Sequence, residues 1–288
     1  MQERLEGLIE RAEGLLQQLM QQFPPMPAPT DWSALAYHWR RHPNGGTLQA
    51  IPHPHALCLD DLQGIDRQKN LLAQNTRQFI RGLPANNALL WGSRGTGKSS
   101  LIKALLTTYA GEGLRLIEVE RQELTDLPQI VTLLRDRSER FILFCDDLSF
   151  EAGDPGYKAL KVALDGSLDT APDNVLIYAT SNRRHLVPEY MSENLEAKVV
   201  DTEVHFGDSI EEKISLSERF GLWLSFYPFN QEEYLSIVDH WLRQLGINRF
   251  DEHARNEALR WAQARGSRSG RAAWQFARDW AGRTLLHD

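Results

Sequence analysis

Residues Gly92-Ser93-Arg94-Gly95-Thr96-Gly97-Lys98-Ser99 satisfy the pattern G-x-x-x-x-G-K-[ST] at every fixed position. An apolar run, Ala88-Leu89-Leu90-Trp91, leads into the pattern, and Ser100-Leu101-Ile102-Lys103-Ala104-Leu105-Leu106 follows it. This context predicts a buried strand that ends in a glycine-rich loop, with the loop opening a helix. The glycines let the backbone curl until successive N–H groups face one anion, and the helix adds its positive N-terminal end. Lys98 is placed to neutralise outer phosphates and the Ser99 hydroxyl to ligate Mg²⁺. The loop therefore predicts a nucleoside-triphosphate site.

The 288 residues leave room for two domains with cores of their own. Hydrophobic content of 42% and charged content of 25% are ordinary for a globular protein. A formal net charge of -7 offers no overall attraction to nucleic acid or to an anionic membrane. Only Cys58 and Cys145 are present, so no disulfide framework is implied, and Cys145 within an apolar run reads as a buried, inert thiol. The first residues lack a basic stretch followed by an apolar one, and no apolar run reaches membrane-spanning length. The expected location is cytoplasmic.

Residues 3–22 space their leucines by three and four, as an amphipathic helix does. Docking on its own protein is the plain reading of that helix, and a partner or self-association helix is the alternative. Pro24-Pro25-Met26-Pro27-Ala28-Pro29 reads as a stiff linker. A short helical patch with Trp32, Tyr37 and Trp39 is expected next, and then a turn at Pro43-Asn44-Gly45-Gly46. His53, His55 and Cys58 raise a metal question, but the flanking prolines favour a plain extended connection.

From Asp61 onward, strands and helices alternate, which predicts a parallel sheet covered on both faces. Five strands are expected, at 88–91, 114–119, 141–145, 175–180 and 222–226, with helices around 66–80, 99–109, 128–135 and 157–168. Beyond Pro228 the chain reads as three helices. Asn230 and Glu233 form a capping box for the first, and Gly246 and Gly266 end the first and second. The expected division is an N-terminal helical extension and linker (1–60), an α/β nucleotide-binding domain (61–228) and a helical domain (229–288).

Two strand ends add chemistry to the loop. Phe141–Cys145 runs into Asp146-Asp147, where a carboxylate could reach the Ser99-bound metal. Asp146 takes that metal role and Asp147 polarises an attacking water. Val175–Thr180 runs into Ser181-Asn182-Arg183-Arg184, and the amide of Asn182 could orient the water or meet the γ-phosphate. Asn after a strand is otherwise a common turn residue.

With these residues in hand, the chain from Asp61 to its end resembles the AAA+ ATPases. Within them it is most similar to an uncharacterised bacterial family, domain-of-unknown-function family 815. The stretches NALLWGSRGTGKSSLIKALL, FCDDLSFE, YATSNRRHLVPE and EEKISLSERFGLWLSFYPF carry this likeness. The resemblance implies ATP as the nucleotide and a helical lid as the last domain. It implies that the segment Leu62-Gln63-Gly64-Ile65-Asp66 flanks the adenine through Ile65. Asp146-Asp147 would be the Walker B pair, Asn182 sensor 1, Arg219 the arginine finger and Arg271 sensor 2. Arg219 could instead pair with Glu218 or Glu212, and Arg268 competes with Arg271. For Arg183 and Arg184, solvated or acid-pairing roles are the plainer reading. Most AAA+ hydrolases carry Glu where this chain has Asp147, and the shorter side chain implies slow turnover.

Three functions compete at this stage. The first is an ATPase assembled as a homo-oligomer, Arg219 acting in trans, that remodels an unknown macromolecular partner. The second is a nucleotide switch of the replication-initiator or helicase-loader type. From His240 to Asp288 nine arginines face five acids, which would suit nucleic acid, although no helix-turn-helix or stacking array accompanies them. The third, an unfoldase, needs an aromatic–glycine loop near residues 120–128, and none is there. The charged stretch 189–218 is long for a bare connection and could hold a partner-specific element.

Overall fold

The computed structural model describes residues 29–43, 45–150, 154–165, 172–183, 186, 198–200, 203–205 and 216–286. The expected helix at 3–22, the linker up to Ala28, Arg184, Glu212 and most of 189–218 lie outside the described residues. Ser33–Asp288 makes one compact unit.

Its elements are β1 (Ala36–His42), β2 (Gly45–Ala50), α1 (Asp66–Ile80), β3 (Ala88–Gly92), α2 (Lys98–Tyr109), β4 (Leu114–Glu118), α3 (Leu127–Leu134), β5 (Arg140–Cys145), α4 (Pro155–Asp165) and β6 (Val175–Ser181). A short antiparallel pair follows, β7 (Lys198–Val200) with β8 (Glu203–His205), and then β9 (Leu222–Phe226). The chain continues as α5 (Gln231–Gln244), α6 (Glu252–Ala264) and α7 (Gly270–Leu285).

The main sheet has seven strands in the order β2-β1-β4-β5-β6-β3-β9. All neighbours are parallel except β1 with β2. Ala88, Leu89 and Leu90 of β3 and Phe141 to Cys145 of β5 are fully buried. Both faces of these central strands are covered, which is why they read as unbroken apolar runs. Helices α1 and α2 sit on the sheet through Leu72, Phe79, Leu101 and Leu105. The Tyr178 hydroxyl of β6 ties α1 to the sheet, accepting from Asn75 Nδ2 at 2.9 Å and sharing a hydrogen bond with Thr76 Oγ1 at 2.9 Å.

Two expectations need correction. The sheet has seven strands, not five, and the residues around Trp39 form a strand, not a helix. Tyr37 and Trp39 are fully buried while His38 and Arg40 between them are not, the period-2 alternation of a strand. The expected turn at 43–46 is the hairpin connection between β1 and β2.

This hairpin grips the segment after β4. Trp39 Nε1 donates to Asp126 Oδ2 at 3.0 Å, and Arg41 donates to both oxygens of Asp126 at 2.8 Å. Arg40 meets Glu120, and Arg121 meets Asp154 of the neighbouring loop. Residues 121–126 are thereby held as a 3-10 helix, in the place where an unfoldase would carry a mobile loop. Burial opposes the charge of Asp126, but hydrogen bonds from Arg41 and Trp39 outweigh it and hold the carboxyl below its ordinary 3.8. A lowered folded-state value gives stability that is present above the unfolded value and lost as pH falls through the folded one. Asp126→Ala leaves a buried indole N–H without its acceptor and should cost about 1–3 kcal/mol in urea melts at pH 7. The gap to the parent should narrow in melts repeated below about pH 4.

The helical segment is capped as its sequence directs. Asn230 and Glu233 satisfy each other's backbone N–H at 2.9 and 2.8 Å, Asp251 accepts from Ala254 N, and Ser269 accepts from Ala272 N. Among the described residues no helix is long and apolar enough to cross a membrane.

Candidate nucleotide site

The order β5-β6-β3 brings three strand ends side by side, and each ends in a group singled out above. β3 delivers the loop Gly92–Ser99, β5 delivers Asp146 and Asp147, and β6 delivers Asn182. Ligands of open parallel sheets sit at this C-terminal edge. Two glycines set the loop's path. Gly92 has φ +129, and a Cβ there would collide with the carbonyl of Phe226 at the end of β9. Gly95 has φ +73, and a Cβ there would press on Ser269 and Arg271 at the start of α7.

The polar groups form one connected network. Lys98 Nζ donates to the carbonyls of Gly92 and Ser93 at 2.8 Å each and to Asn182 Oδ1 at 3.1 Å. Asn182 Nδ2 in turn donates to Asp147 Oδ1. Ser99 Oγ donates to Asp146 Oδ1 at 2.6 Å, and Thr180 Oγ1 donates to the same oxygen. The backbone N–H of Asp147 donates to Thr180 Oγ1 at 2.9 Å. Among the described residues Asp147 is the only non-glycine with positive φ, at +50. Such a residue carries roughly 1–3 kcal/mol of strain, of the kind that collects at working sites. Lys98 is buried, and desolvation lowers its pKa from the usual 10.5. Asp147 and Asp146 oppose that fall, while Arg94 and Arg271 add to it.

These groups open on a cavity of about 740 Å³. Its polar lining runs from Arg94 to Ser100 and includes Asp146, Asp147, Thr180, Asn182 and Arg271. Its apolar lining includes Leu57, Leu62, Ile65, Phe229, Ile237, Trp241 and Trp274. Trp241 and Trp274 lie 4.6 Å apart between ring centroids at 59°. A polar wall with an aromatic one suits a ligand with a charged part and a flat part. Serine hydroxyl beside carboxylate, Ser99 with Asp146, is the hard-oxygen donor set that Mg²⁺ accepts together with substrate oxygens and water.

The structure brings together Asp146, Asp147, Asn182, Ile65, Arg271 and the loop from Arg94 to Ser99. Gly92 and Ser93 stand behind the wall and meet Lys98 through their carbonyls. Arg268 is not among the lining residues. Arg219 lies apart from the cavity, its Nε donating to both carboxylate oxygens of Asp165 in α4, at 2.6 and 2.7 Å. Asp165 was not among the acids the sequence suggested, and Glu212, one of those, lies outside the described residues. Arg183 is exposed, with its backbone N–H on Ser181 Oγ at 3.1 Å. His55 lines the cavity and Cys58 is exposed. Cys145 is fully buried, and burial pushes its thiol up to about 12, so it is unreactive. Thr180, Trp241 and Trp274 were missed from sequence. Thr180 was legible only as a polar residue near the end of an apolar strand, and the tryptophans come from separate helices and carry no local signal.

The family model described as "Protein of unknown function (DUF815)" matches residues 32–284. The chain belongs to the DUF815 family. Among curated proteins none matches it. A Thermotoga maritima RuvB variant superposes on this DUF815 chain with a TM-score of 0.50 at 17% identity, over 77% of this chain and 64% of that one. The structure described as the T. maritima RuvB Holliday junction branch migration motor gives 0.46 at 19% identity, over 77% and 63%. The DUF815 chain thus spans less than two thirds of the RuvB chains it matches. The shared feature is the fold, an α/β P-loop architecture of AAA+ type with a mostly parallel sheet.

Proposed function

We propose that this chain binds Mg²⁺-ATP in the cavity and hydrolyses it to ADP and phosphate, driving conformational change in an unidentified macromolecular partner. The carrying observation is the Ser99–Asp146 and Lys98–Asn182–Asp147 network, which gathers residues from three strand ends at the mouth of the phosphate loop. Lys98 and the loop N–H groups would hold the outer phosphates, and Arg271 would reach them from α7. Ser99 and Asp146 would hold Mg²⁺, which would supply charge neutralisation on the phosphate oxygens. Asp147 accepts hydrogen bonding from the attacking water and Asn182 fixes the orientation of Asp147. The water's oxygen bonds to the γ-phosphorus as the bond to the bridging oxygen breaks, ADP leaves with that electron pair, and the proton the water gives up passes by way of Asp147 to solvent. The adenine would lie against Ile65, Trp241 and Trp274. Arg219, which does not line its own cavity, would leave Asp165 to complete the site of a neighbouring subunit in a homo-oligomer.

Trp241 and Trp274 make the binding step visible. Titration with Mg²⁺-ATP should change tryptophan emission in the parent, and a Trp241→Phe/Trp274→Phe double variant should lose most of that change. A parent that shows no saturable response, with no binding by calorimetry either, would sink this reading.

A second reading is a slow nucleotide-dependent switch of initiator or loader type acting on nucleic acid. The side chain of Asp147, one methylene shorter than Glu, favours slow turnover. An ATP-dependent mobility shift that weakens with salt would support this reading, and none at low salt would end it.

A further inference from the structure

Within the phosphate loop only some side chains have a fixed duty, and Arg94 occupies a position the pattern leaves open. It is the first loop residue that lines the cavity, which Gly92 and Ser93 do not. Four residues later the same wall carries Lys98, and Arg271 approaches from α7, its backbone N–H donating to Gly95 O at 3.3 Å. The two cations differ in one respect from Lys98. Lys98 Nζ is committed to three acceptors within the protein. Among the described residues no carboxylate or other acceptor pairs with the guanidinium of Arg94 or of Arg271. The arginines of the hairpin, by contrast, are held by Asp126 and Glu120. A guanidinium with no partner to surrender can engage a phosphate at little cost, and its planar fork matches phosphate oxygens two at a time. Arg94 also sits close enough to Lys98 for its charge to help lower the lysine's pKa, after the larger effect of burial.

We propose that Arg94 is a specificity-determining residue of this chain's own site, whose guanidinium binds the terminal phosphate and so discriminates nucleoside triphosphate from diphosphate. This rests on the reading of the cavity as a nucleotide site and adds a role that the loop pattern does not assign. Lys98 then keeps a phosphate partner in both nucleotides through the β-phosphate, whereas Arg94 serves only the one that hydrolysis removes. Product release follows from the same division, because loss of the γ-phosphate removes the ligand of Arg94.

The test compares Mg²⁺-ATP and Mg²⁺-ADP affinities by calorimetry for the full-length parent, Arg94→Gln, Arg94→Lys and Lys98→Ala, with light scattering on the same samples. Arg94→Gln should lower the preference for ATP over ADP at least fivefold, almost wholly through weaker ATP binding, at unchanged particle size. Arg94→Lys, which keeps the charge without the fork, should restore part of that preference. A preference that moves less than fivefold in Arg94→Gln overturns the proposal, as does a loss that appears only together with a change in particle size. Lys98→Ala separates this failure from a broader one. If it binds both nucleotides like the parent, the cavity is not the nucleotide site.

Discussion

Arg219→Ala is expected to bind Mg²⁺-ATP like the parent and to lose turnover by about 10³-fold or more, the range over which such fingers act. The split follows from where Arg219 stands. Its guanidinium is on Asp165 at 2.6 Å and contributes nothing to the lining of its own cavity, so removing it leaves the binding groups in place. A guanidinium supplied by a neighbour would stabilise charge that develops on the transferring phosphoryl group, and such charge counts in rate more than in affinity. The measurement is a pair of numbers for each protein, Kd by calorimetry and kcat by phosphate release. Equal losses in both would place Arg219 in the binding site. No loss in either would remove it from the mechanism.

Lys98→Ala should have the larger effect on binding. The ammonium is buried at the base of the loop with three oxygen acceptors around it. Truncating one partner of a buried, hydrogen-bonded charge pair costs about 2–5 kcal/mol. At about 1.4 kcal/mol per tenfold, Mg²⁺-ATP affinity should fall by roughly one to four orders of magnitude. The fold should survive, because the alanine variant also removes a desolvated charge whose pKa burial already lowers. Circular dichroism and urea melts like the parent's, with ATP binding lost, are the expected outcome. Unchanged binding would contradict the assignment of the loop.

Much of this was legible because the relevant signals are local. The strand–loop–helix context around Gly92 fixed β3 and α2 to within one residue at each boundary, and the capping box at Asn230 marked the start of α5. Asp146 and Asn182 were legible because a strand end in a parallel sheet must open at one edge, whatever the order of the strands. What escaped were features made by residues far apart. The β1–β2 hairpin was missed because aromatic content around Trp39 outweighed the alternation Tyr37-His38-Trp39-Arg40, and its anchor, Asp126, lies 87 residues from Trp39. Asp165, which pairs with Arg219, lies 54 residues away in α4, beyond any local pairing rule. Trp241 and Trp274 meet only when α5 packs on α7. Nothing in either helix taken alone distinguishes these indoles from ordinary core residues.

The account stands most directly on whether the site is shared between subunits. Lys98→Ala subunits keep Arg219 but lack a working phosphate loop, whereas Arg219→Ala subunits keep the loop but lack the finger. Each variant alone should show almost no phosphate release. Mixed before nucleotide is added, the two should regain a readily measured fraction of parental activity, because a Lys98→Ala neighbour brings its Arg219 to an intact site. A mixture that stays at the sum of its two inactive components would contradict the shared site.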